Sequence, residues 1–140
     1  MGCIFCKIIK EKLPYSRVYE DEDFLAFMDI KPINKGHVLI VPKKHFELVS
    51  EMDKTDMSKM IVVAEKINSA IRKSEIRCKG INFFLADGKA AGQEVPHVHL
   101  HVIPRFLGDG FGFKFPDNYE NKPPRKELER LAEKIKRKLD

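Results

Sequence analysis

The chain has 140 residues, 43% of them hydrophobic and 34% charged, with a formal charge of +5. That length suits one domain with a proper core, and no apolar run approaches the roughly 20 residues that span a bilayer. Residues 122–140 hold eight Lys/Arg against four Asp/Glu, so the rest is nearly neutral and bulk charge gives no reason to expect a nucleic-acid partner.

Three cysteines cannot all pair within one chain, which points to a reducing, cytoplasmic setting rather than a disulfide framework. The opening residues lack the charged leader and long apolar core of a secretion signal. Cys3-Ile4-Phe5-Cys6 reads as a zinc half-site, a redox pair or a coincidence. A redox pair wants a strand-to-helix setting that position three does not supply. A zinc half-site wants two more N or S ligands, and His45, His97 or a neighbour of His97 are candidates.

A short helical turn is predicted over Lys7–Leu13, ended by Pro14. Val18–Glu20 and Phe24–Asp29 read as strands around the acidic turn 21–23. After the loop 31–36 comes a buried strand over Gly36–Pro42. From Thr55 to about Ser74, Met57, Met60, Ile61, Ala64, Ile67 and Ile71 recur at offsets that mark one helix face, with Thr55 or Asp53 as cap. Ile81–Ala86 reads as a fourth strand, and residues 87–94 as a glycine-containing loop. Beyond an aromatic-rich loop at 107–113, Pro123-Pro124 starts a last helix. It has Leu128, Leu131, Ala132, Ile135 and Leu139 on one side and basic residues on the other. The late cations suit the helix dipole.

The organising stretch is Pro96-His97-Val98-His99-Leu100-His101-Val102-Ile103-Pro104-Arg105. Three of the five histidines alternate with apolar residues at the period of a strand, so the imidazoles share one face while Val98, Leu100 and Val102 enter the core. A solvated strand would more naturally carry Thr, Lys or Glu. Metal ligation by His97, His99 and His101 is one reading, and a nucleophile held between helpers is the other. Neutral imidazole is a good nucleophile near pH 7, Gly92 lets backbone amides approach a phosphate, and Gln93 offers a neutral amide donor. No Walker loop is present.

The run resembles the signature of the histidine triad (HIT) superfamily of nucleotidyl hydrolases and transferases. The string from Phe24 to His45 is similar to the N-terminal half of that domain. The resemblance covers roughly residues 3–106 and implies an α+β fold with an antiparallel sheet of about five strands and packed helices. The HIT domain is expected over 1–110, and over 111–140 a C-terminal extension whose basic amphipathic helix packs on the same domain. It implies hydrolysis of purine nucleoside phosphate derivatives, either adenosine phosphoramidates or dinucleoside polyphosphates, through a nucleotidyl-histidine intermediate. His99 would attack, with His101 and His97 as helpers. Phe5, Ile8, Leu13, Phe27, Ile30 and Val95 would line the nucleotide site, Asp29 would hold the ribose hydroxyls, and Gly92 and Gln93 would meet phosphate. Cys3, Cys6, His45 and His97 would hold a structural zinc, with no organic cofactor. A homodimer is expected. The Ile103-Pro104-Arg105 ending followed by Gly-Asp-Gly looks more like the bacterial and archaeal group or the dinucleoside polyphosphate branch than the phosphoramidase branch.

One position departs from the family pattern. Ala86 stands where many members carry an Asn that helps bind phosphate, with Asp87 beside it. A carboxylate near phosphate repels it, so Asp87 is expected to face elsewhere or to alter substrate choice. A nucleotide-binding signalling module with little activity is the rival function. Arg105 contacts phosphate or braces its strand.

Overall fold

The computed structural model describes residues 2–139. Among them, five strands form one antiparallel sheet: β1 (Arg17–Glu20), β2 (Phe24–Met28), β3 (Val38–Pro42), β4 (Gly80–Phe84) and β5 (Leu100–Arg105). Their order is β1-β2-β3-β5-β4. The helices are α1 (Ile4–Ile9), α2 (Lys54–Lys73) and α3 (Arg125–Lys136). The fold is the expected α+β arrangement.

β3 is apolar throughout and all five of its residues are buried, as a central strand covered on both faces requires. Val38 pairs with Val102 and Leu39 with His101, so alternate residues of β3 and β5 divide between the two faces. On one face α2 lays Met60, Val63, Ala64, Ile67 and Ile71 against Phe24, Ala26, Ile40, Val98, Leu100 and Val102. Truncating Ile67 to Ala there would cost about 2–5 kcal/mol. On the other face Phe5 and Ile8 of α1 pack on Leu25, Phe27, Leu39 and Val41. The alternation of the histidine run follows: Val98, Leu100 and Val102 take the α2 face, and the imidazoles take the α1 face.

Several boundaries differ from the sequence expectation. α1 is capped by Cys3, whose sulfur accepts the Cys6 amide at 3.4 Å. It stops because Glu11 adopts a left-handed φ of 59°, with Lys12 N–H on the Lys7 carbonyl at 2.8 Å and Glu11 N–H on Ile8 at 2.9 Å. That is a helix-ending turn, made before Pro14 is reached. On α2 the buried stripe takes Val63 and leaves Ile61 half exposed, because Ile61 lies one residue, about 100° of arc, off the Met60–Ala64–Ile67–Ile71 line. Asp53, not Thr55, caps α2, accepting the Asp56 amide at 2.7 Å. His97 lies in a bend, its amide on the Val95 carbonyl at 2.8 Å, His99 follows before β5 begins, and only His101 lies within the strand.

The chain divides into two compact units, one through Gly110 and one from Phe111. The second contains α3, whose Leu128, Leu131 and Ile135 are exposed, and a stacked pair, Phe115 and Tyr119, with centroids 4.1 Å apart. No helix among the described residues is long and apolar enough to cross a membrane.

Candidate active site

His99 is buried, and its Nδ1 lies 2.8 Å from the carbonyl of His97. A carbonyl only accepts, so Nδ1 carries the proton and Nε2 keeps its lone pair. Burial first holds His99 below its ordinary pKa, while its carbonyl partner and the charges of Asp29 and Glu94 pull the other way. The ring is therefore a neutral imidazole with a free nucleophilic nitrogen. Phe5 meets it edge-on at 5.0 Å between centroids, and His101 follows at 5.0 Å.

The tautomer of His101 is fixed by a chain of donors. The Ile33 amide donates to His37 Nδ1 at 3.1 Å, so the proton of neutral His37 sits on Nε2. That nitrogen lies 2.8 Å from His101 Nδ1 and 3.5 Å from an Asp29 oxygen. His101 Nδ1 accepts, and its own proton is on Nε2. Burial first, then the neighbouring His99 and His37, pushes His101 down to about 4. Burial likewise lowers His37, with Asp29 opposing. His37 is a site residue that the triad spacing does not reveal. Its only sequence signal is the Gly-His step before the buried β3.

Phe5, Ile8 and Phe27 form one apolar cluster with Leu25, Leu39 and Val41, with Leu13 and Val95 packed against it. Phe5 and Phe27 meet edge-on at 5.7 Å. Ile30 is not with them: it is 90% exposed, because the strand has ended at Met28 and the chain turns at Asp29. Asp29 takes the Lys31 amide at 2.8 Å.

The loop before the histidines is held by its own backbone and by the Gln93 side chain. Gly92 is left-handed at φ 94°, but a Cβ there would meet nothing within 4 Å. Its left-handed backbone conformation requires glycine there. Its amide bonds the Lys89 carbonyl, and the Gln93 amide bonds that of Gly88. The Gln93 side chain accepts from the Gly88 amide and donates to the Glu47 carbonyl, both at 2.8 Å. One amide hydrogen of Gln93 remains for a ligand. Ala86 is buried, and Asp87 turns to the Val49 amide at 2.8 Å, where it caps the 3-10 turn Val49–Glu51. Arg105 braces its strand: its guanidinium grips Asp109 and reaches Asn82.

Cys3 Sγ, Cys6 Sγ, His45 Nδ1 and His97 Nδ1 lie within 4.8 Å of one another. Their separations include 3.3 Å for Cys3–His97, 3.3 Å for Cys6–His45, 3.6 Å for Cys6–His97 and 3.1 Å for His45–His97. Zinc bonds of about 2.0–2.3 Å in a tetrahedron set ligand atoms roughly 3.3–3.8 Å apart, so the spacing fits. His97 Nε2–H donates to the Pro42 carbonyl at 2.8 Å, which directs the Nδ1 lone pair at the two sulfurs, the orientation that metal-bound histidines show. A second group, Asp29, His37 and His101, reads instead as the hydrogen-bond chain above, since both His37 nitrogens are engaged. Among the described residues, His97, His99 and His101 do not bring their ring nitrogens together as a metal set.

Comparison with known proteins agrees with this architecture. A model of the HIT domain matches residues 10–108. A HIT-like protein of Borreliella burgdorferi is 50% identical over 113 residues, covering 80% of this chain and 81% of that protein. An adenosine 5'-monophosphoramidase of Schizosaccharomyces pombe is 34% identical and covers 99% of each chain. The crystal structure of a HIT-family protein from Bacillus subtilis superposes with a TM-score of 0.88 at 40% identity, covering 100% of this chain and 99% of that one. A zinc-bound histidine triad protein from Mycobacterium smegmatis gives 0.77 at 39% identity, covering 96% and 98%. This chain belongs to the HIT domain family.

Proposed function

We propose that the protein hydrolyses purine nucleoside phosphate derivatives at the α-phosphorus and releases a nucleoside monophosphate. The observation that carries the reading is the pair of fixed tautomers: His99 with Nε2 unprotonated, and beside it His101 with Nε2 protonated. His99 Nε2 attacks phosphorus, and the bond to the leaving group breaks with its electron pair, the leaving atom taking a proton from water. The cation that forms on His99 is stabilised by the His97 carbonyl on Nδ1–H. His101 Nε2–H and the remaining Gln93 amide hydrogen suit the phosphoryl oxygens. Water then displaces the histidine. The base lies against Phe5, Ile8, Phe27, Leu13 and Val95, a flat apolar slot, with Asp29 toward the ribose.

Zinc on Cys3, Cys6, His45 and His97 serves structure. It supplies a cross-link between α1 and the segment before β5. The chain's own residues do the chemistry. Phe5 lies between the two cysteines and touches His97 and His99, so that cross-link also steadies one wall of the site. A homodimer is proposed as well: β4 is an edge strand with Phe83 exposed, and α2 exposes Ile61 and Val62. Such an edge and apolar patch suit a second copy.

The phosphoramidase named among the relatives supports adenosine phosphoramidate as one substrate class, and diadenosine polyphosphate is the other. Ala86 and the engaged amides of Gly92 and Gln93 leave few donors for a long phosphate chain, which favours the phosphoramidate. They also favour the second reading, a nucleotide-binding module with little turnover. Release of AMP from each substrate by purified protein, and its loss in His99→Ala, tests the proposal. AMP binding without release from either substrate would select the binding module.

A further inference from the structure

The loop from Asp29 to His37 carries the donor that fixes the His37 tautomer. Its base is closed by backbone bonds, Asp29 N–H to the His37 carbonyl at 3.0 Å and His37 N–H to the Asn34 carbonyl at 3.1 Å. Its tip is held by one side chain. Asn34 Nδ2 donates to the Pro104 carbonyl at 2.9 Å and to Asp109 Oδ2 at 2.8 Å.

The Asp109 side chain is only 3% exposed. Arg105 grips it through Nε to Oδ2 at 2.6 Å and Nη2 to Oδ1 at 2.9 Å, the two-point geometry that orients a carboxylate. The third guanidinium nitrogen donates to Asn82 Oδ1 on β4 at 2.6 Å. Arg77 lies 3.8 Å over the Phe106 ring in the same turn. The end of β5, the middle of β4 and the turn after β5 thus make a seat into which Asn34 plugs. Gly36 gives an independent sign of close seating: at φ +95°, a Cβ there would come 2.9 Å from Ile76 and 3.2 Å from Pro104.

We propose that Asn34, Asp109 and Arg105 are positioning residues that hold the Ile33 amide on His37 Nδ1 and so keep the His101 proton on Nε2. Ile33 is the immediate neighbour of Asn34, so losing the clamp lets its amide leave His37. His37 then takes its proton on Nδ1 and accepts from His101 on Nε2. His101 now donates through Nδ1 and presents a lone pair where the phosphate needs a donor. The inference rests on the function proposed above for the catalytic part of its effect, while its tautomer part stands on the geometry alone.

The test is Asn34→Ala with the ring nitrogens of 15N-histidine-labelled protein observed by NMR, together with kcat and KM for an adenosine phosphoramidate. In the unaltered protein His37 and His101 are each expected as the single Nε2–H tautomer. In Asn34→Ala both are expected to mix or switch, with kcat falling at least about tenfold and KM changing less than about threefold. Unchanged tautomers, or switched tautomers with unchanged kcat, overturn the inference. Should Asn34→Ala fail to fold, Asp109→Asn carries the same test, because it keeps the shape and weakens both grips on the carboxylate. If the unaltered protein releases no AMP, the proposed function fails, and the NMR result still decides the clamp.

Discussion

His37 Nε2 lies 2.8 Å from His101 Nδ1, and the proton between them belongs to His37, because its other nitrogen takes the Ile33 amide. A histidine outside the triad therefore decides which nitrogen of the triad's last member donates. Replacing it with Phe removes that donor without adding charge. His37→Phe is expected to lower kcat about 10–100-fold while leaving AMP affinity within about threefold. Steady-state kinetics beside calorimetric AMP binding checks the split.

Burial and the neighbouring histidines hold His101 down to about 4, below the ordinary imidazole value of about 6.5. The unfolded chain binds this proton near pH 6.5 and the folded chain only near pH 4, so between those values the unfolded state binds more protons. The stability from keeping His101 neutral is complete above pH 6.5 and is lost as pH falls toward 4. For this one group it amounts to about 3 kcal/mol. Asp21 and Glu20 are also perturbed, but downward from carboxylate values, so their losses come at lower pH. Burial also lowers His37, His97 and His99, so denaturant titrations from pH 7 to 4 should show the fall, and His101→Asn should make it shallower without abolishing it.

Metal removal should act on stability as well as on the site. Zinc at about a thousandfold excess over its dissociation constant adds roughly 4 kcal/mol. Cys6→Ser or a strong chelator is expected to remove that increment, visible as a fall in Tm of roughly ten degrees. Metal analysis of the purified protein should find one zinc per chain, and its loss in Cys6→Ser.

Glu11 holds a left-handed conformation at φ 59° to end α1. Glycine carries no steric penalty there. Glu11→Gly should therefore stabilise the protein by up to about 1 kcal/mol, read as a higher denaturation midpoint. A fall would mean that the Glu11 side chain does more than tolerate the turn.

Much of the fold was legible because it follows from local pattern. The two-residue period of the histidine run places its imidazoles on one face and Val98, Leu100 and Val102 on the other, and the β3–β5 register carries that division through. Cys3-x-x-Cys6 offered a zinc half-site, but the full set with His45 and His97 came from the family resemblance, and the structure brings those four ligand atoms together. What stayed hidden depends on partners distant in sequence. His37 gains its role only when β3 lies beside β5, and Arg105 finds Asp109 and Asn82 only in the folded sheet. Gln93 keeps one amide hydrogen for a ligand while Gly88 and Glu47 hold the rest of its side chain, contacts that only the folded loop brings together. Asp87 turned to Val49, which the expectation that it faces elsewhere allowed without naming a destination. Ile30, given a slot position by the resemblance, sits just past a strand end, and Ile61, given a core position by periodicity, sits just off a helix stripe. Neither position shows in composition.

The central claim is that His99 Nε2 takes the nucleotidyl group. Protein mixed with an adenosine phosphoramidate, quenched in the first turnover and digested without acid, should yield a peptide containing His99 that is heavier by one adenylyl group. That adduct should be acid-labile and absent from His99→Ala. An adduct on His97 or His101, or full AMP release at the wild-type rate by His99→Ala, would contradict the account.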